Sequence, residues 1–323
     1  MKDATTWIIS AEVAQALAVG TPVVALESTL VAHGLPWPEN LETAQQAEHQ
    51  VGRAGAVAAT IAVLGGQVRV GLSEAELEHL ARPGTFLKAG RRDLAVAVAR
   101  GLDAATTVAA TLWVARRCGI GVMATGGLGG IHRDAATTGD VSNDLDELAR
   151  ADGTVVVCSG VKTILDVPAT LEALETRGVA ILGYRTGAFP AFTAASSGLA
   201  LEPRVETPAE AAALIRAHRG LGLPGAIVLA QPVPAAFALD ADVMETALAE
   251  ALAEARAQGV AGKALTPFLL GRIRRTTGGR SLQANRALIV ANAALAGAVA
   301  VALADGERTE DEGQGRGRMK DKG

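Results

Sequence analysis

Lys162 lies in the apolar run Thr154-Val-Val-Val-Cys-Ser-Gly-Val-Lys-Thr-Ile-Leu-Asp166, where a positive charge is out of keeping with its neighbours. Between residues 3 and 319 the only other lysines are Lys88 and Lys263, and arginine carries the remaining basic charge. Arginine stays protonated at any working pH, so a position that requires an amine able to lose its proton and attack a carbonyl needs lysine. The valines before it and the isoleucine and leucine after it would desolvate the amine and favour its neutral, nucleophilic form. Schiff-base chemistry is one reading. A lysine snorkelling from a strand end, its ammonium in water, is the other.

Four further stretches carry groups capable of chemistry. The segment Val122-Met-Ala-Thr-Gly-Gly-Leu-Gly-Gly-Ile-His-Arg133 follows a short strand with glycines that would let backbone N–H groups approach an anion, with Thr125, His132 and Arg133 as added donors. A tight strand exit explains the same glycines, and their spacing matches neither a dinucleotide fingerprint nor a P-loop. Asp140 and Asp144 are one helical turn apart, suited to a hard divalent ion or sugar hydroxyls. Helix capping by Asp140, Ser142 and Asn143 is the simpler account of that stretch. Glu27 ends the apolar strand Pro22-Val-Val-Ala-Leu-Glu27 just before His33-Gly34, a place for a tuned proton donor or for an ordinary paired carboxylate. Lys88 with Arg91-Arg92-Asp93 suits a phosphate or a solvated turn, and Asn285 and Lys263 carry no signal alone.

These residues need a scaffold, and the hydrophobic periodicity predicts one. Strands are expected at 21–29, 57–64, 121–125, 154–158, 179–184 and 226–230. Helices are expected at 38–53, 74–82, 92–100, 106–117, 143–151, 168–177, 208–219 and 243–258. Ser73 with Glu76 forms a capping box, Pro38 and Pro208 suit first turns, and Gly101, Gly178 and Gly259 suit helix ends. Gly65-Gly66 divides two β-like stretches into a hairpin. From about Ala264 the pattern is purely helical, 266–276 and 281–304 separated by Gly278-Gly279. The fold class expected is α/β, a three-layer α/β/α arrangement with a mixed, largely parallel sheet and a helical C-terminal segment. With neither linker nor repeat, residues 1–304 read as one domain, and the charged tail 305–323 as disordered.

Composition narrows the partners. A chain of 323 residues that is 49% apolar but 3% aromatic builds its core from Ala, Val, Leu and Ile. A net charge of −4, spread along the chain, provides no field for nucleic acid or acidic membranes. Cys118 and Cys158 are isolated and make no metal-ligand spacing, which suits structural thiols in a reducing compartment, the cytoplasm by default. No signal-peptide pattern opens the chain. Residues 287–304 are apolar enough to suggest a membrane span, but they are rich in alanine and interrupted by Asn292, so a buried or subunit-interface helix is expected.

Taken together, the motifs resemble the pseudouridine-5′-phosphate glycosidase family, also called indigoidine synthase A-like proteins, over about residues 7–304. The landmarks are Ala25-Leu-Glu-Ser-Thr29 with His33-Gly34, Lys88 with Arg91-Arg-Asp-Leu94, Ala105-Thr-Thr-Val-Ala109, Ala124 to His132, Asp140 to Asp144, Cys158 to Lys162, Gly262-Lys263 with Thr266-Pro-Phe, and Ser281 to Asn285. The departures are Ala58 where the family commonly has proline, a short deletion before Lys88, and the extra tail. The resemblance implies an enzyme, a homotrimer that uses a divalent ion, usually manganese, to cleave pseudouridine 5′-phosphate reversibly to uracil and ribose 5-phosphate. By the family pattern Lys162 is the covalent nucleophile and Glu27 the proton donor. Lys88, Val108, Ser142, Asn143 and Asp144 match substrate contacts, Asp140 the metal ligand and Asn285 a base-side contact, while Thr125 and His132 match pocket positions. Two competing readings use some of the same residues: a Schiff-base aldolase acting on a phosphosugar, and a non-catalytic phosphosugar-binding regulator.

Overall fold

Short runs of valine, isoleucine and alanine become strands, and the amphipathic stretches between them become helices. The computed structural model describes residues 6–260 and 262–320, with side chains described for all of these but Lys263 and residues 307–320. The Lys263 side chain and the last three residues of the tail thus lie outside the described residues. The strands are β1 (Trp7–Ile9), β2 (Val23–Leu26), β3 (Val57–Leu64), β4 (Gln67–Val70), β5 (Leu87–Ala89), β6 (Ala104–Thr106), β7 (Val122–Ala124), β8 (Ile131–His132), β9 (Val155–Cys158), β10 (Leu165–Asp166), β11 (Ala180–Tyr184), β12 (Arg204–Val205) and β13 (Ile227–Ala230). The α-helices are α1 (Ala11–Val19), α2 (Glu39–Arg53), α3 (Glu74–Ala81), α4 (Leu94–Ala99), α5 (Val108–Arg117), α6 (Ala135–Thr138), α7 (Asn143–Ala149), α8 (Val167–Thr176), α9 (Pro208–Gly220), α10 (Ala241–Ala257), α11 (Leu265–Thr276) and α12 (Arg280–Lys320).

The main sheet runs β1-β4-β3-β2-β7-β9-β13-β11-β12, with β6 also paired to β3 and β5 to β6. Every pairing is parallel except those of β3 with β4 and β6. The expected hairpin is the β3–β4 turn, where Gly65 and Gly66 both take positive φ, 55° and 75°. Strands β2, β9 and β13 are buried along their whole length, as a parallel sheet covered on both faces requires. Helices α2, α9 and α12 pack together on one side, and α5, α7 and α8 on the other. The three-layer, largely parallel architecture expected from periodicity is the one observed. Edge strand β1 and helix α1 were not anticipated, because Trp7–Ile9 is too short to show a period.

Helix α12 settles the question raised by its apolar sequence. Its segment Arg280–Gly306 is long and apolar enough to cross a membrane by length and composition alone, yet it packs against β2, β7, β9, α2 and α9. Its buried positions Ala284, Leu288, Asn292, Ala296, Val299 and Leu303 recur at three- or four-residue intervals, the stripe of a helix lying on a core. Gly297 lets it approach α2 closely: a Cβ there would sit 2.7 Å from that of Ala54. The helical backbone continues to Lys320, past the boundary drawn at Ala304. The apolar stripe ends at Leu303, and the four glycines among residues 305–320 give this extension little intrinsic helix propensity.

Cys118 and Cys158 are both unbridged. Burial in β9 pushes the Cys158 thiol up to about 12, so it stays protonated and unreactive. Brief iodoacetamide treatment of the native protein should therefore alkylate Cys118 and spare Cys158 until the chain is denatured. Peptide mass spectrometry showing equal native labelling of the two would contradict this packing.

Candidate active site

The carboxyl ends of β2, β7 and β9 are neighbours, and the residues singled out for chemistry leave the sheet there. Leu26 is level with Ala124, and Ala124 with Val157, so Glu27 and Thr125 emerge side by side. Thr125 Oγ1 donates a short hydrogen bond to Glu27 Oε1. Glu27 itself is 5% exposed. Its neighbour Ser28 is locked from the other side: Ser28 Oγ donates to Ile61 O at 2.6 Å and accepts from Thr106 N at 2.9 Å, and Thr106 Oγ1 donates to the same carbonyl. Strands β2, β3 and β6 thus hold the acid in one place.

Burial raises the Glu27 carboxyl above its ordinary value and outweighs the other influences. Lys162, the Thr125 hydroxyl and Lys88 pull the other way, while the Asp144 charge adds to the rise. The result is a carboxyl that holds its proton to higher pH than an ordinary glutamate, in a site with two amines nearby. A proton donor is what this environment supports.

Lys162 follows β9 on a short loop and is half-buried. Its N–H donates to Leu128 O at 3.2 Å, and Leu128 N–H donates to Gly160 O at 2.9 Å. Together with Glu27, Lys88, Val108, His132, Asp140, Ser142, Asn143 and Asp144 it lines one cavity of about 260 Å³. Residues from distant parts of the chain thereby meet in one place. Two of the expected site residues stand apart. Thr125 is not among the residues lining this cavity and touches it only through Glu27, and Asn285 lines a neighbouring cavity of about 240 Å³ that shares Ile164 with the first. His33 belongs to that second cavity, its Nε2 3.1 Å from Phe86 O.

Several local readings need correction. The glycine-rich loop is a packing device more than an anion cradle, because its N–H groups are largely engaged: Leu128 to Gly160 O, Gly129 to Asp144 Oδ2 at 2.8 Å, and Ile131 to Thr170 Oγ1 at 3.0 Å. A Cβ on Gly127 would lie 2.7 Å from the Phe192 ring, and one on Gly130 2.4 Å from Thr170 Oγ1. Arg133 turns to Glu245 on α10, with Nη2 to Oε2 at 2.9 Å. Asp144, 5% exposed, is anchored by two backbone donors, Ala109 N–H at 3.0 Å and Gly129 N–H at 2.8 Å. Capping is also real here, since Ser142 Oγ accepts from Asp144 N–H at the start of α7. The cavity adds Arg92 and Thr266, and the loop contacts reveal Asn292, which in the sequence is only an interruption of an apolar run.

A family model described as indigoidine synthase A like protein matches residues 12–302. The chain belongs to that family. It is 50% identical over 291 residues to a pseudouridine-5′-phosphate glycosidase of Caldanaerobacter subterraneus subsp. tengcongensis, covering 90% of this chain and 94% of that one. It is 53% identical to a protein of the same name from Methylobacterium nodulans, covering 88% and 84%. Among solved structures it superposes with TM-score 0.86 on the prealnumycin C-glycosynthase AlnA in complex with ribulose 5-phosphate, at 38% identity over 94% of this chain and 99% of that one. An indigoidine synthase A-like protein from Thermotoga maritima gives TM-score 0.84 at 38% identity, covering 93% and 97%.

In this member of the indigoidine synthase A-like family the buried acid carries a stability signature. The folded-state value of Glu27 is raised above the ordinary 4.5, so the folded protein holds the proton, or buries the charge, at a pH where the unfolded chain has already released it. Stability is therefore fullest below 4.5 and declines as pH rises toward the folded-state value. Glu27→Gln removes that penalty. Its melting temperature should exceed wild type at neutral pH by roughly 1–2 °C for each kcal/mol relieved, and the gap should close at pH below about 4. Calorimetry across pH checks this; a lower melting temperature for the variant at neutral pH contradicts the assignment of burial as the dominant influence.

Proposed function

We propose that this family member is a pseudouridine-5′-phosphate glycosidase, reversibly cleaving the bond between uracil C5 and ribose C1′ to give uracil and ribose 5-phosphate through an imine on Lys162. The observation that carries the reading is the presence of Lys162 and a protonation-prone Glu27 in one cavity. The sugar of this substrate is attached through carbon, a far poorer leaving atom than the nitrogen of an ordinary nucleoside. Two opposed carboxylates, the usual glycosidase equipment, do not address that difficulty. An amine does.

The C1′–O4′ bond opens and Lys162 Nζ bonds to C1′, with O4′ taking up a proton. Glu27 delivers its proton to C5 of the base. The electron pair of the C1′–C5 bond then returns to the uracil ring while the nitrogen lone pair forms the C=N bond to C1′. Water adds to the imine carbon, and collapse of the adduct frees the amine and ribose 5-phosphate. In the reverse direction Glu27 removes the C5 proton. Lys88, with Val108, Ser142, Asn143 and Asp144 around the same cavity, suits the phosphate and hydroxyls. Thr125 orients Glu27, His132 faces the same cavity beside Asp140, and Asn285 in the adjoining cavity suits the base.

A divalent ion, manganese in this reading, belongs at Asp140, whose side chain is 37% exposed and stands 3.8 Å from His132 Nε2. Among the described residues no group of three His, Cys, Asp or Glu side chains encloses a metal. A single carboxylate such as Asp140 would hold only an ion that keeps most of its water. Such an ion supplies positive charge to screen the phosphorylated sugar. Assembly as a homotrimer is supported by an apolar groove on the outer face of α12, where Ala287, Val290, Ala291 and Ala294 meet Phe237. Unbridged thiols support a reducing compartment such as the cytoplasm.

Borohydride added during turnover of pseudouridine 5′-phosphate should fix a pentose-phosphate mass on wild type at Lys162 and none on Lys162→Ala. An adduct appearing equally on both defeats the mechanism, and release of a small aldehyde in place of uracil would make the enzyme an aldolase. Glu27→Gln should lower uracil release by roughly two to four orders of magnitude while still forming the trapped adduct. Light scattering should give three chain masses in solution, and Ala291→Glu should reduce the assembly to smaller species; an unchanged trimer would place the interface elsewhere.

A further inference from the structure

A single asparagine in the middle of an apolar helix touches the supports of both groups of the proposed pair. Asn292 on α12 is fully buried. Its Nδ2 donates to Thr125 O at 2.8 Å and to Gly126 O at 3.3 Å, and its Oδ1 accepts from Gln231 Nε2 at 2.8 Å. Ser159 Oγ stands 3.3 Å from Oδ1 and 3.2 Å from Nδ2. The orientation of the amide follows from chemistry: the Thr125 and Gly126 carbonyls only accept, so the NH₂ group must face them and the oxygen must face the Gln231 donor. Both ends of the amide are used. Leucine would offer neither, and aspartate would turn an acceptor toward two carbonyls.

We infer that Asn292 is a positioning residue for the reaction, setting Glu27 through Thr125 and Lys162 through Ser159. Thr125 presents its hydroxyl to Glu27 and its carbonyl to Asn292. Ser159 begins the loop that ends at Lys162, and its N–H donates to Gly126 O at 3.0 Å. The exits of β7, β9 and β13 thus converge on one side chain. Close approach of α12 makes this possible. A Cβ on Gly126 would lie 3.2 Å from Ile289 Cγ1 and 3.3 Å from Leu288 Cδ1, so any larger residue there would press on the helix. A buried amide with all its groups paired specifies one arrangement of its surroundings, whereas an apolar side chain there leaves two strand exits free to shift.

This role rests on the glycosidase reading above, and the test separates the two. Asn292→Leu keeps the branched shape of the side chain and raises helix propensity, so it is compared with wild type at matched melting temperature. It should lower kcat for uracil release about 100-fold through misplacement of the reacting groups, with KM changed less than about threefold because Lys88 and α7 are untouched. The alkaline limb of the pH profile, which reports Glu27, should move to higher pH, since a misdirected Thr125 hydroxyl no longer favours the carboxylate while Lys162, Lys88 and Asp144 still face it. Ser159→Ala, the variant to use should Asn292→Leu not fold, should slow borohydride trapping on Lys162 without moving that limb. A wild-type adduct at Lys162 with kcat, pH profile and trapping rate unchanged in the variants overturns the positioning role alone. A wild type without the adduct removes the glycosidase mechanism and this role with it.

Discussion

Three adjacent parallel strands end at one level, and the exits of β7 and β9 go on pairing after the sheet proper stops. Beyond the registered pair Ala124 and Val157, Thr125 N–H reaches Val157 O, Ser159 N–H reaches Gly126 O, Leu128 N–H reaches Gly160 O and Lys162 N–H reaches Leu128 O. The loop bearing Lys162 is therefore railed by backbone hydrogen bonds to the segment that follows Thr125. Glycine is the condition for this. Gly160 takes φ +78°, and a Cβ there would stand 2.0 Å from Pro190 O, so any side chain would pry the rail apart.

The same rigidity lets a carboxyl stay buried. Desolvation alone would drive Glu27 into its neutral form, and the surrounding groups temper the effect without reversing it. Asp144 is the nearby negative charge, yet its oxygens are bound by the Ala109 and Gly129 N–H groups, the first of these in the opening turn of α5. An acidic residue suited by sequence to a divalent ion or to sugar hydroxyls also ties α7 to α5 and to the glycine segment. Its influence on the site is electrostatic and architectural together.

Much of this was legible in residue order, because parallel strands buried on both faces leave continuous apolar runs and helix starts leave polar caps. The 57–64 strand, the Gly65-Gly66 turn and the Ser73–Glu76 capping box match the structure closely. The oddity of a lysine among valines was visible for the same reason: charge is conspicuous where burial is expected. The purpose of the glycines was not visible, since close packing and anion binding ask for the same residue. Arg133 was misjudged because its partner, Glu245, is far along the chain and only the fold brings α10 to it. Asn292 was hidden by its setting: a polar residue in an apolar helix reads as a blemish until the carbonyls it satisfies are in view.

The unequal burial of the proposed pair follows from what each is asked to do. An acid that protonates carbon must be kept from giving its proton to water, and Glu27, 5% exposed and hydrogen-bonded from beneath, is suitably enclosed. An amine that forms an imine must meet an opened sugar, then admit water to its carbon, and so has to stand at the open edge. Lys162, half-buried on a rail of backbone hydrogen bonds, is placed between those demands. Had the two residues exchanged positions, a deeply enclosed amine would leave no route for hydrolysis and an exposed acid would stay ionised at neutral pH. The order of depth, acid below and amine above, is therefore as much a part of the chemistry as the identity of either side chain.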